Sequence, residues 1–294
     1  MDYNYYCKDN FFAYLETYIN YLFHDHAMHS DQTYEITVLP GTTRDGKKEG
    51  FDRIVIRPGD TISIVGPTGS GKSAFINDIE VLAQDDTITG RSILVDGSEP
   101  PEEMVRDPAK KPIALLTQNT RVIADLTVAR FLALHIRARD SEAQQLVSRT
   151  VNLANEFTGE KITEQMRMSA LSGGQTRSLL IADAILIGQT PILLLDEIEN
   201  AGINKERVIT CLRRYQKAVI FVTHDPYLAL ITDRRIIMRN GAVSAVLEPR
   251  GHEQEILRTV SGMDLFLWDL REKIRQGDLI SEPQESPKKT GVYA

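Results

Sequence analysis

The sequence predicts an α/β fold built on a parallel sheet with helices on both faces. Three features carry that prediction. Short apolar runs alternate with helix-forming stretches in the second half of the chain. A glycine-rich loop, residues 66–71, follows one apolar run and opens a helical stretch. Finally, Ile192-Leu193-Leu194-Leu195 ends in two carboxylates, Asp196 and Glu197, as a buried strand does where it reaches a site.

The elements follow in order. Residues 1–30 form an extension rich in aromatics, in which Phe11, Tyr14/Leu15, Tyr18/Ile19 and Leu22/Phe23 recur at helical spacing and make one apolar face. Docking of that face on the chain's own body and docking on a partner remain equally open. Strands are expected at Tyr34–Leu39, Arg53–Ile56, Thr61–Val65, Ser92–Val95 and Ile113–Thr117, and a loop at Glu99–Pro112. A helical insert occupies about residues 119–170. Further strands are expected at Ile192–Leu195, Ala218–Thr223 and Arg235–Met238. A helical appendage (residues 251–280) contains the helix Glu253–Gln276, whose apolar set of Ile256, Leu257, Val260, Leu265, Leu267, Trp268 and Leu270 is expected to complete a core. Residues 281–294 are polar, contain prolines and read as a disordered tail.

Composition narrows the function. The 34 Lys and Arg against 41 Asp and Glu leave a net charge of −7, which argues against a general grip on nucleic acid or anionic lipid. Only Cys7 and Cys211 are present, so no disulfide framework is expected and a reducing cytoplasm fits. No apolar run is long enough to span a bilayer and no signal peptide opens the chain.

Gly66-Pro67-Thr68-Gly69-Ser70-Gly71-Lys72-Ser73 fits the phosphate-loop pattern, with an apolar strand before it and helical sequence after it. Glycines let the backbone close around phosphate oxygens, and the helix beginning near Lys72 adds the positive end of its dipole. Lys72 can reach β- and γ-phosphates, and the Ser73 hydroxyl can ligate Mg²⁺. On the neighbouring strand end, Asp196 is suited to hold the metal through water and Glu197 to orient the attacking water.

Leu171-Ser172-Gly173-Gly174-Gln175 lies 21 residues before Asp196 and reads as a second small-residue helix start able to approach an anion. With this segment the chain resembles, over residues 31–250, the ATPase subunit of the ATP-binding cassette (ABC) family. The resemblance implies a P-loop NTPase with a parallel-sheet core, an antiparallel β subdomain and a helical subdomain. It implies ATP and Mg²⁺ as ligands, and Ser172, Gly173, Gly174 and Gln175 capping the γ-phosphate held by an opposite subunit. Gln118, after the run Ile113–Thr117, then falls to Mg²⁺ and the attacking water, and His224 to the γ-phosphate. Also implied is a homodimer or heterodimer of cassettes. It would be the energising subunit of a transporter, cytoplasmic and peripheral at the inner membrane face through a separate membrane-spanning chain. A soluble ATPase that remodels a cytosolic protein or metalloenzyme is the alternative. Acidic charge and the lack of long heptad runs count against a nucleic-acid role.

Three positions depart from the family pattern. Ile203 stands where an aspartate is expected, Asp183 where an arginine is usual, and Thr43 where an aromatic would stack on adenine. Tyr34 and Phe51 are candidates to replace that aromatic; equally open are a stacking residue from the N-terminal extension and no stacking at all. His24, His26 and His29, with Asp25 or Asp31, have a spacing that can bind Zn²⁺ or Ni²⁺, but equally suit a polar helix end.

Overall fold

Alternation along the strands builds two sheets. The computed structural model describes residues 34–107, 110–117, 120, 125–138, 144–188 and 190–280, all within the second of two units, residues 34–294. The expected aromatic helix, the three N-terminal histidines, Gln118 and the tail at 281–294 lie outside the described residues. In the smaller sheet, β1 (Ile36–Leu39) runs antiparallel between β2 (Ile54–Ile56) and β4 (Ser92–Val95), so that Ile36 faces Ile56 on one side and Val95 on the other.

The larger sheet contains β3 (Thr61–Val65), β5 (Ile113–Leu116), β6 (Ile192–Asp196), β7 (Ala218–Val222), β8 (Arg234–Arg239) and β9 (Ala242–Leu247), in the order β5-β6-β7-β3-β8-β9. All neighbours are parallel except β8 and β9. Strand β9 is absent from the sequence expectation. Its signal is the pair Asn240-Gly241, both at positive φ (50° and 83°), which closes a two-residue hairpin.

Period-two alternation divides the core. Leu193, Leu195, Val219 and Phe221 join one apolar cluster with the helices, whereas Ile192, Leu194, Ala218, Ile220 and Val222 join another toward the smaller sheet. Central strands buried on both faces must be apolar at every position, and β7 is buried throughout.

The helices are α1 (Lys72–Val81), α2 (Glu102–Arg106), α3 (Val128–Arg137), α4 (Gln144–Phe157), α5 (Gly173–Leu186), α6 (Lys205–Arg214), α7 (Pro226–Ile231) and α8 (His252–Gln276). Side-chain caps start several of them: Thr127 accepts from Arg130, Asn204 from Arg207, and Asp225 from Leu228 with Pro226 behind it. Helix α2 forms inside the stretch expected as a loop, its first turn holding Glu102 and Glu103. The expectation that the apolar set of α8 completes a core needs correction. Leu257 and Val260 pack against the core, but Ile256, Leu265 and Leu267 are exposed.

A buried ionic cluster ties the smaller sheet to the larger one. The Arg91 guanidinium donates to Glu49 (Nε–Oε2 2.8 Å, Nη2–Oε1 2.7 Å), to Asp78 on α1 (2.9 Å) and to the Gly241 carbonyl (3.1 Å). Glu49 also accepts from the backbone of Gly41 and Val243, and Asp78 from the hydroxyls of Thr87 and Thr89. Arg91 and Glu49 side chains are both 0% exposed. Removing one partner strands a buried charge. Arg91→Met should therefore cost about 3–5 kcal/mol in urea unfolding.

Lys217 shows the reverse situation, since burial pushes its ammonium down to about 8. A lysine held below its unfolded value opposes folding while protonated; the penalty is full below the folded pKa of about 8, fades as pH rises from there and is gone above the unfolded value. Lys217→Met should therefore raise unfolding free energy at neutral pH by roughly 1–3 kcal/mol, the gain closing above a pH of about 10. Urea melts across that pH range provide the check.

Candidate functional site

The glycine-rich loop leaves β3 at Val65 and enters α1, and its path is set by the hairpin packed behind it. Gly66 has φ 156°, and a Cβ there would sit 2.4 Å from the Met238 carbonyl oxygen. Gly71 has φ 98°, and a Cβ there would meet the Gly241 Cα at 2.9 Å. Only glycine satisfies both the backbone and the close approach. The Gly241 amide donates to the Ser70 carbonyl at 2.9 Å, and the Ser70 amide to Pro67 at 3.1 Å.

Lys72 Nζ folds back onto the loop, donating to the carbonyls of Gly66 (2.8 Å) and Pro67 (3.2 Å). Burial lowers its pKa, against the opposing fields of Glu197 and Asp196. Ser73, second residue of α1, is exposed, and Ser70 Oγ is buried without a hydrogen-bond partner among the described residues. A cation on carbonyls, an orphaned hydroxyl and the open N–H groups of a helix N-terminus fit a polyanion in the loop.

The sheet brings the acidic strand end to the same edge. With β6, β7 and β3 adjacent and parallel, Asp196 and Ile64 both register with Val222, and two strand spacings separate the outer pair by about 10 Å. Asp196 is half-buried. Burial first, then the carboxylates of Glu197 and Glu199, raise its pKa, while Lys72 and His224 oppose the rise.

Glu197 sits at φ 50°, and its amide donates to the Val222 carbonyl at 2.9 Å. A left-handed conformation in a residue without glycine's freedom is strain held by its surroundings, and such strain concentrates at working sites. His224 Nε2 lies 3.9 Å from Glu197 Oε1, its side chain 51% exposed.

Sequence reasoning missed the residue that holds His224. Glu199 Oε1 accepts from Thr223 Oγ (2.6 Å) and from the His224 amide (3.0 Å), joining the turn after β6 to the end of β7. Its Oε2 is buried without a partner among the described residues. Lys205, likewise missed, donates to Asp225 (2.7 Å) beside His224 and to Asp264 on α8. The available signal was positional. Both follow Asp196-Glu197 within one turn or helix start, where a charged residue faces the next strand end.

Ser172 is the N-cap of α5, in a capping box with Gln175: Gln175 N donates to Ser172 Oγ (3.2 Å) and Ser172 N to Gln175 Oε1 (2.9 Å). Ser172 Oγ also donates to Glu160 at 2.9 Å. Gly173 has open space where a side chain would be. Among the described residues, no hydrogen bond or ion pair joins Ser172–Gln175 to the glycine-rich loop.

The departures acquire physical roles. Ile203 is buried and bridges Thr158, and Asp183 is buried against His135 Nδ1 at 2.7 Å. Tyr34 and Phe51 pack against the apolar cluster under the smaller sheet. Next to Thr43, Arg44 reaches over the loop, its Nη2 donating to the Gly69 carbonyl at 2.8 Å.

Comparison with known proteins agrees. A family described as ABC transporter matches residues 53–200. An uncharacterized ABC transporter ATP-binding protein of Methanocaldococcus jannaschii is 47% identical over 247 residues, 84% of this chain and 95% of that one. The sulfate/thiosulfate import ATP-binding protein CysA of Mycobacterium bovis is 30% identical over 227 residues, 74% of this chain and 62% of that protein. In fold, the chain is similar to the ATP binding subunit of an ABC transporter (TM-score 0.58, 20% identity, 82% of this chain and 100% of that one). It is also similar to a dimeric, post-hydrolysis ATP-binding cassette bound to ADP and Pi (TM-score 0.56, 24% identity, 74% and 99%). Among the described residues, no helix is long and apolar enough to cross a membrane. By sequence and by fold, the chain belongs to the ABC transporter family, as a P-loop ATPase that binds ATP.

Proposed function

We propose that this chain is the energising, nucleotide-binding subunit of an ABC transporter, hydrolysing Mg²⁺-ATP between two cassettes placed head to tail. The observation that carries the reading is the shared edge of the sheet. There Lys72, Asp196, Glu197 and His224 lie close enough for each to shift or contact another. The separation of Ser172–Gln175 from the loop supports a second copy or a homologue closing the site. A membrane-spanning chain would be a further subunit and would bring the cassette to the inner membrane face. The relatives named for import support that partner class.

In this reading the loop amides of Gly66–Gly71 and the Lys72 ammonium bind the phosphates and neutralise charge on the transferring group. Ser73, Asp196 and Gln118 would hold Mg²⁺, which would supply charge neutralisation for the phosphates when bound. Glu197 accepts the proton of the attacking water and orients it, and His224 steadies the γ-phosphate. Pro67, Thr68, Gly69 and Ser70 shape the cradle. Ser172, Gly173, Gly174 and Gln175 of one copy face the triphosphate of the other. For that contact Ser172 Oγ must exchange Glu160 for a phosphate oxygen.

Glu197→Gln should lower kcat by roughly 10²–10⁴-fold while ATP affinity stays within a factor of about three, because only proton acceptance is lost. Steady-state hydrolysis and equilibrium binding of a fluorescent ATP analogue decide it; retained turnover removes Glu197 from the role.

Glu199→Ala should cut kcat about tenfold with KM for ATP nearly constant, since one hydrogen-bond pair to the His224 segment is worth about 1.4 kcal/mol. Glu199→Gln keeps an accepting oxygen and should restore most of the rate. The same assays, run in a His224→Ala background, should show no further loss.

A further inference from the structure

Helix α8 has one face fixed to the body and a second apolar face turned away from it. The fixed face is clasped at three levels. Glu253 pairs with Arg235 (3.1 and 3.2 Å), and Asp264 pairs with Lys205 next to Trp268 and Tyr227. At the far end Glu272 and Arg275 lie over Gly159 and Gly202, where a Cβ would meet them at 2.6 and 2.9 Å.

A second stripe runs about 110° around the helix from this face, at 100° per residue. Ile256, Met263, Leu267 and Ile274 are 52%, 47%, 46% and 60% exposed. Half-buried Leu270 completes it, and half-buried Val260, which also packs against the core, borders both faces. The series 256-260-263-267-270-274 alternates steps of four and three, the 3.5-residue period of a coiled-coil seam. A helix that only covers its own body needs one apolar face; this one has two.

We infer that this seam pairs α8 with the α8 of a second copy of the chain, in antiparallel orientation. Charge selects the orientation. The first turn of α8 holds Glu253 and Glu255 and the last turn Lys273 and Arg275, so antiparallel pairing sets unlike ends together. With a two-fold axis near residue 265, Ile256 meets Ile274, Val260 meets Leu270, and Met263 meets Leu267. On the solvent-side flank Glu255 then comes beside the Lys273 of the other copy. Such a self-complementary patch is the ordinary geometry of a two-fold dimer.

Antiparallel helices also join like flanks, so both clasped bodies stand on one side of the pair. Those bodies carry Gly202 and Gly159 beneath α8 and, near Glu160, the Ser172 segment that the head-to-tail reading brings against a second cassette. That placement rests on the proposed function; the seam does not need nucleotide. A 25-residue helix is about 37 Å long, and its seam alone is at the small end of specific interfaces, so a dimer in the micromolar range is expected.

The test uses the full chain with Cys7→Ser, without nucleotide. Ile256→Cys and Ile274→Cys proteins are mixed and oxidised, and the linked peptides identified by mass spectrometry. Residue 256 of one copy should join 274 of the other, and either variant alone should link at least tenfold less. Sedimentation equilibrium at concentrations on the order of 50 µM should show a dimer, and Leu267→Glu should weaken it at least tenfold, with an unchanged thermal midpoint at dilutions where both proteins are monomeric.

Self-linking of Ile256→Cys alone would mean parallel pairing and would overturn the inference. So would a monomer at that concentration. Loss of thermal stability in Leu267→Glu at a dilution where the parent is also monomeric would put another segment of the same chain on the stripe and defeat it equally. A Glu197→Gln dimer that forms with ATP while the seam fails to link refutes this inference alone. Failure of both refutes the head-to-tail reading as well.

Discussion

The buried cluster of Arg91, Glu49 and Asp78 is the constraint from which the nucleotide loop takes its setting. A guanidinium with no solvent exposure must be satisfied from inside, and here its partners come from three segments: the hairpin before β2, helix α1 and the β8–β9 turn. Each charge is costly alone, and together they are fixed in one geometry. The turn held by Arg91 is the one whose Gly241 packs on Gly71 and donates to Ser70. The helix held through Asp78 is the one whose first turn carries Lys72 and Ser73. Thus a structural ion cluster on one side determines the shape of an anion cradle on the other.

The opposite edge of the site depends on a different device. Parallel strands deliver Asp196 and His224 to one edge, but the strand ends alone do not aim either side chain. Glu197 is bent into a left-handed conformation, and Glu199 then crosses to Thr223 and the His224 backbone. Burial first, and then the nearby carboxylates of Glu197 and Glu199, raise the Asp196 pKa. That acidic grouping makes the edge receptive to a cation, the physical reason the arrangement suits a metal-bound nucleotide.

The departures from the family pattern are not losses at random. Ile203 exchanges a charge for a core contact, anchoring the loop after Glu197 by apolar burial, worth roughly 1.5–3 kcal/mol. Asp183 gains a hydrogen bond to His135 Nδ1 at 2.7 Å within the helical layer. Lys205 links the His224 segment to α8 through two aspartates. The Lys205 contacts thereby tie the end of β7 to the C-terminal helix.

The sequence by itself determined the class of fold and the chemistry of the loop. Period-two and period-3.6 patterns report which faces are apolar, and Gly66–Ser73 and Asp196-Glu197 are contiguous in the chain. Local steric and electrostatic rules act on neighbours, so contiguous features are legible. The strand β9 was within reach too, through Asn240-Gly241, but its short alternation is weak beside a buried parallel run. Only the tertiary structure decided that Arg91 is an internal ion rather than a surface one, that Glu199 serves His224, and that Arg44 reaches the loop. It also decided which apolar residues of α8 meet the body. Those outcomes join residues tens to more than a hundred positions apart, and burial changes the energy of a charge by more than any local pattern records. A one-dimensional pattern shows that a face is apolar or a residue charged; what lies opposite it depends on how the chain closes.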